Sequence, residues 1–402
     1  MTLHRWAGLT ALALGAACAR PAPPPPAPEP VAAADTVVPP PPPPDTLPAP
    51  VPEPPPRLWP ASITMAFTGD INLGTTTYPD GLPPDSGRGL LTAARPHLSG
   101  DFVVGNLEGV FADSGVSEKC IDREALRRLR RQGRELEEPP VRANCYAFRT
   151  PTFLAARLQE AGFTHLNLAN NHSGDLGPAG RTSTLGVLDS LGLSPYGLIG
   201  SIAIDTVMRG DSMSVVGLIG FTTYGFAYNL LDIERSAAVV DSIRPQVDVL
   251  VVTFHGGGEG AAAVRTGTGP EFLGKEPRGD LRRWARAVID AGADAVVGHG
   301  PHVLRGIEFH RGRPIAYSLG NFATYRGFNL QGVRGLTGVL QVELSGRGEF
   351  VGARFVPMLQ PPRQGPVPDA GAAALDLLRR LSAEDFGPAA ARITEDGRIL
   401  PP

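Results

Sequence analysis

Six short apolar runs in this chain each end on residues able to bind metal or phosphate. The run at 63–67 leads into Asp70, and that at 102–104 leads into Asn106 and Glu108. The run at 165–169 leads into Asn170, Asn171 and His172, and that at 249–254 into His255. The runs at 295–297 and 315–318 lead into His299 with His302, and into Asn321. In open α/β sheets, ligands bind beyond the carboxyl ends of the strands. A chain that repeatedly places Asp, Asn, Glu and His there is most simply read as building one site. Carboxylate, amide and imidazole donors point to a metal-dependent hydrolase centre.

The rest of the pattern is that of an α/β protein. Helices are predicted over 152–161, 178–191, 280–291 and 370–381, with Gly162, Gly192 and Gly292 as stops for the first three. Further strands are predicted over 214–221, 306–309 and 338–344, so a mixed sheet is expected toward the C-terminal end. Many of the 42 prolines precede residue 61, and the remaining residues suffice for one large domain or two small ones. The net charge of −3 and the absence of a basic stripe argue against nucleic acid as a partner. The arginines at 127–134 are flanked by Glu124, Glu135, Glu137 and Glu138 and read as a solvated helix.

The first residues read as a targeting segment. A short positive start is followed by an apolar stretch over 6–17, too short to span a membrane. It ends at Cys18 in a pattern that resembles a bacterial lipoprotein signal, so residues 1–18 are expected to be the signal and Cys18 the lipidated anchor. The other reading is simple secretion, and both export the protein. Residues 19–60 are Pro/Ala-rich and expected to be an extended tether, reaching on the order of 100 Å at ~3.1 Å per residue. A globular domain is expected over 61–365, with a charged insertion at 113–147 and a helical tail at 366–402. Cys120 and Cys145 bracket most of that insertion, and in an oxidising compartment a disulfide is favoured over two free thiols.

Single residues carry less than their combination. His299 and His302 sit on a tight loop that Pro301 keeps from continuing as helix. A lone histidine is usually structural, but four of the eight histidines directly follow apolar runs. The glycines between His255 and Glu259 allow close approach of a substrate to the backbone. Asp70 alone, or Asn170-Asn171-His172 alone, is a common turn.

Gly69-Asp70, Asn106-Leu107-Glu108, Ala169 to His172, His255-x-Gly257-x-Glu259, Gly298-His299-x-Pro301-His302 and Tyr317 to Phe322 occur in that order. The ordered set resembles the CapA family, linked to capsule poly-γ-glutamate synthesis, over roughly residues 63–322. Phe148-Arg149-x-Pro151 and residues 290–294 resemble it too. The resemblance implies a metallophosphatase-like four-layer sandwich, two mixed sheets flanked by helices, with a binuclear centre. It implies one ion on Asp70, Glu108 and His302 and another on Asn171, His255 and His299, with Glu108 bridging. His172 matches the proton-donating or transition-state-stabilising histidine. Asn72, Asn106, Asn170, Glu259 and Asn321 are expected to contact substrate. Asn72 stands where the related phosphoesterases carry a histidine, which implies one weaker metal position.

Mixed imidazole and carboxylate ligands suit Mn, Fe or Zn. Three functions stay open from the sequence. One is an exported, membrane-anchored hydrolase of a phosphoester in an anionic surface polymer or its phosphorylated precursor. Another is a non-enzymatic assembly or export component, working with a polymer synthase complex. The third is a metal-dependent γ-glutamyl amide hydrolase.

Overall fold

The computed structural model describes residues 58–402 except 135, 137, 138, 143 and 144. The expected signal segment, Cys18 and nearly all of the Pro-rich tether lie outside the described residues. The main strands are β1 (Ile63–Asn72), β2 (Phe102–Leu107), β3 (His165–Asn167), β4 (Ser194–Tyr196), β5 (Ala203–Arg209) and β6 (Ser212–Thr222). They continue with β7 (Val249–His255), β8 (Ala295–His299), β9 (Leu304–His310), β10 (Arg313–Leu319), β11 (Asn321–Thr324), β12 (Leu336–Leu344) and β13 (Phe350–Leu359).

These strands make two mixed sheets. In the first the order is β13-β12-β1-β2-β3-β4, with β11 continuing alongside the end of β1. Strands β1 to β4 are parallel, while β12 and β13 run antiparallel. In the second the order is β9-β10-β8-β7-β6-β5, parallel from β10 to β6 and antiparallel at both margins.

Side-chain alternation assigns the layers. Ile63, Met65 and Phe67 of β1 join Val249 and Val251 of β7 in one core between the sheets. Ala66 and Val103 point the other way, toward Leu154, Leu158 and Leu188. Leu250, Val252 and Phe254 of β7 pack outward on Val240, Trp284 and Val288. The period of two along each of these central strands thus gives it two buried faces. The result is helices, sheet, sheet, helices: the four-layer sandwich expected from the sequence.

The helices follow their own pattern. Helix α1 (Arg123–Arg131) lies in the insertion, and α2 (Ala156–Ala161) and α3 (Gly177–Ser190) cover the first sheet. Helices α4 (Ile233–Ile243) and α5 (Leu281–Asp290) cover the second. In α5 the buried residues are Leu281, Trp284, Ala285, Val288 and Ile289, one apolar stripe at helical spacing. Asp280 caps its start by accepting from Arg283 N, and Gly292 at φ 112° follows its end. Among the described residues, no helix is long and apolar enough to cross a membrane.

The expected tail at 366–402 is corrected. Helix α6 (Ala373–Phe386) buries Leu377, Leu378 and Leu381 in the core between the sheets. The chain then returns as Arg392–Ile393 and Arg398–Leu400, a hairpin that extends the first sheet beside β13. Its apolar period is satisfied by closing the edge of the sandwich, so these residues are part of the domain.

Candidate metal centre

The carboxyl ends of β1, β2, β3, β7 and β8 open on one place, and the backbone there is built for close crossing. Asp70 N donates to Gly320 O at 2.9 Å. A Cβ on Gly69 would sit 1.9 Å from that same carbonyl oxygen, so only glycine lets β1 pass the turn between β10 and β11. His255 and His299 end neighbouring parallel strands in register. Gly256 N donates to His299 O at 2.9 Å, and a Cβ on Gly300 (φ 110°) would lie 2.6 Å from Gly256 O. His302 itself holds φ 57°, a left-handed conformation uncommon outside glycine.

Two buried carboxylates organise the imidazoles. Asp70 Oδ2 lies 2.9 Å from His302 Nδ1, and its Oδ1 lies 2.9 Å from Asn106 Nδ2 and 3.5 Å from His299 Nδ1. Glu108 Oε1 lies 3.3 Å from His255 Nε2, 3.4 Å from His302 Nε2 and 3.9 Å from His172 Nε2. One carboxylate oxygen therefore faces three imidazoles arriving from different strands.

The charges at the site are set by burial and by close pairing. Burial pushes Glu108 well above the usual carboxylate range, with Asp70 and Glu259 adding to the effect against His302. Burial also opposes charge on Asp70, but hydrogen bonds from His299 and His302 hold it well below its ordinary value. Burial, with Arg278 nearby, drives His255 well below normal. His302 goes the other way: burial disfavours its charge, yet Glu108 and Asp70 push its pKa up to about 10. His302 presents one ring nitrogen to each of these carboxyl groups, and that pairing is what favours its charged form.

The donor set fits a divalent cation. Glu108 Oε2, His255 Nδ1 and Asn171 Oδ1 are buried without a hydrogen-bond partner among the described residues. Such atoms are costly unless something else satisfies them. The ligand atoms of Glu108, His255 and His302 lie within 4.8 Å of one another. That triad crosses the two expected ligand sets, joining His255 to Glu108 and His302.

Three expected substrate contacts are corrected. Asn106 Oδ1 accepts from Asn167 and Asn170, each at 3.1 Å, while its Nδ2 donates to Asp70. Asn170 also donates to Leu107 O and accepts from His172 N and Ser173 N. Asn72 Nδ2 donates to Glu108 O at 3.0 Å. All three are buried and spend their amides holding Asp70, Glu108 and the His172 turn in place. Glu259 and Asn321 border the cleft, and Asn321 is itself buried and donates its amide to His302 O and Arg334 O.

Sequence reasoning missed Asp175, Lys119 and Arg278. His172 Nδ1 faces Asp175 Oδ2 at 2.7 Å, and that oxygen also accepts from Phe148 N at 2.7 Å. Lys119 Nζ pairs with the other oxygen of Asp175. Asp175 lies three residues after His172, a spacing that a turn brings together. Arg278 is fully buried, 2.9 Å from Glu259 Oε1, and donates to Gly257 O. No local motif marks it.

Above this floor is a cleft of about 780 Å³, lined by Asn171, His172, Glu259, His302 and Asn321, and walled in part by the insertion. Cys120 and Cys145 of the insertion are disulfide-bonded, with Cα atoms 5.5 Å apart, and Cys145 faces the cleft.

A family model described as bacterial capsule synthesis protein PGA_cap matches residues 64–326, which takes in every floor residue named above. The chain belongs to this family. Similar proteins include the PGA biosynthesis protein CapA of Bacillus subtilis (strain 168), 34% identical over 185 residues. That match covers 42% of this chain and 45% of the relative. The capsule biosynthesis protein CapA of Bacillus anthracis is 32% identical over 177 residues, covering 42% of each chain. The similarity thus spans less than half the length of these relatives. Among solved structures, a 5'-nucleotidase precursor from Thermus thermophilus is similar over 80% of this chain and 59% of its own. Its identity is 16% and its TM-score 0.39, too low to bear on the site.

Proposed function

We propose that this chain is a metal-dependent hydrolase that cuts a phosphoester during synthesis or processing of a capsule or other surface polymer such as poly-γ-glutamate. The observation that carries the reading is Glu108 Oε1, buried and 3.3 to 3.4 Å from the imidazoles of His255 and His302. Asp70, Glu108 and His302 would hold one divalent ion, and Asn171, His255 and His299 a second, of Mn, Fe or Zn character. Such ions supply Lewis acidity and lower the pKa of water.

The chain's own residues do the rest. Asp175 accepts from Nδ1–H of His172, which fixes the ring and turns Nε2 toward the floor. A carboxylate behind Nδ1 lets Nε2 take up a proton and pass it to a leaving oxygen. Burial, the leading influence, holds the His172 pKa below its ordinary value, although Asp175 acts to raise it. Arg278 holds Glu259 beside His302, and Phe148 stacks against His172 with ring centroids 4.3 Å apart.

The family relatives support the polymer context, since their names speak of capsule and PGA biosynthesis. Export, anchoring through lipidated Cys18, a tether over 19–60 and work beside a polymer synthase complex belong to the same proposal. The direct test is turnover of phosphomonoester and phosphodiester substrates by metal-loaded protein, beside Glu108→Gln. Activity lost in the variant supports the reading. Cleavage of γ-glutamyl bonds without phosphoester turnover would replace it with the amide hydrolase. Polymer binding with no turnover would replace it with an assembly role.

A further inference from the structure

The charged groups lining the cleft do not balance. Among the described residues they are Lys119, Arg142, Glu259, Glu276 and Arg334, apart from the floor histidines. Lys119 is paired with Asp175. Glu259 and Glu276 both face the buried Arg278, at 2.9 and 3.4 Å, and Tyr224 Oη donates to Glu276 at 2.5 Å. Arg142 and Arg334 are left. Arg142 Nη2 donates to the carbonyl of Lys119, and Arg334 Nε to that of Gln331. No carboxylate among the described residues pairs with either guanidinium.

Both arginines are held by structure that also holds the floor. Arg142 N donates to Cys120 O at 2.8 Å, beside the disulfide, and Cys120 adjoins Lys119, which pairs with the carboxylate behind His172. Arg334 O accepts from Asn321 Nδ2 at 3.1 Å, and the same amide donates to His302 O at 3.0 Å. Arg142 thus belongs to the His172 side of the floor and Arg334 to the His302 side. An arginine fork without a counter-ion, facing a cleft, is suited to a carboxylate or a phosphate.

We propose that Arg142 and Arg334 are specificity-determining residues that take negative charges of the substrate on either side of the group at the metal floor. The ligand class this selects is a chain with a repeated anionic group, in preference to an isolated monoester. The inference rests on the hydrolase reading of the floor, but its test requires no bond to be cut.

The test is calorimetric titration of the metal-loaded full chain with three probes: orthophosphate, a methylene-bridged triphosphonate and tri-glutamate. Arg142→Ala and Arg334→Ala are each expected to weaken a chain probe about tenfold, the worth of one charge-assisted pair, and to leave orthophosphate within about twofold. Arg142→Lys, which keeps the charge but loses the fork, should recover part of the loss. Whichever chain shows the loss names the source of the anion, carboxylate or phosphate. Wild-type affinity for both chains in the double variant overturns the proposal. So does an equal loss on orthophosphate and chains, which would place the arginines in the floor. Metal content measured after each titration separates either result from loss of the ions. A protein that binds chains in this manner yet cuts no phosphoester keeps this inference and loses the hydrolase reading.

Discussion

At the scale of single residues, the site is a problem of counter-charge. Asp70 and Glu108 are both buried, and His302 meets one with each ring nitrogen. With its pKa pushed up to about 10, His302 carries a proton at neutral pH in the metal-free protein. A cation entering the site must displace that proton, so metal uptake should release protons and weaken as pH falls. The expected slope is about tenfold in affinity per pH unit for each proton displaced. Titration in buffers of different ionisation enthalpy reads it directly, and pH-independent uptake would contradict the assignment. Asp175→Asn removes the charge behind His172 while leaving every expected ligand in place. It should lower kcat by about tenfold to a hundredfold with metal content unchanged. Elemental analysis beside the kinetics separates this from metal loss. Gly300→Ala would press a Cβ to 2.6 Å of Gly256 O at a φ of 110°. A destabilisation of roughly 3 kcal/mol or more, read by denaturant melting, is expected from such a clash. The ligand types at strand ends were legible in the sequence because carboxylate and imidazole chemistry is local. The roles of Asn72, Asn106 and Asn170 were not, because an amide looks the same whether it meets substrate or a neighbouring buried amide.

At the scale of elements, strands and helices with a clean period were readable. Helix α5 is marked by Asp280, its apolar stripe and Gly292. Strands β5 and β13 were not anticipated. Both alternate exposed and partly buried residues near a sheet margin, and so lack the continuous apolar run of β7. Helix α6 was seen as a helix but not as a core element, since only the packing partners on both sheets decide that. The insertion is the element most open to experiment. Its disulfide spans 25 residues, and closing a loop of that size is worth about 3 kcal/mol by chain entropy. Cys120→Ser with Cys145→Ser should therefore lower the stability by about that amount, and reductant should reproduce it on the wild type in a thermal melt. An unchanged melt would show that the crosslink constrains nothing the fold does not already hold.

At the scale of the whole molecule, the centre joins the two sheets. Asp70, Glu108 and Asn171 come from the first sheet and the loops that leave it, and His255, His299 and His302 from the second. The core between the sheets is apolar, so this seam is where buried polar chemistry can be concentrated at strand ends without disturbing the packing. A cation bound there would cross-link both halves of the sandwich and stabilise the fold by mass action. Metal content by elemental analysis is the decisive measurement for such a centre. It compares the full chain purified without chelator with an Asp70→Asn/His302→Ala variant, each also after Mn or Zn is added back. Near-stoichiometric metal is expected in the wild type, with its loss in the variant. No metal in the wild type even after add-back would contradict the metal centre, and would leave a capsule-family protein whose buried carboxylates are balanced by protons alone.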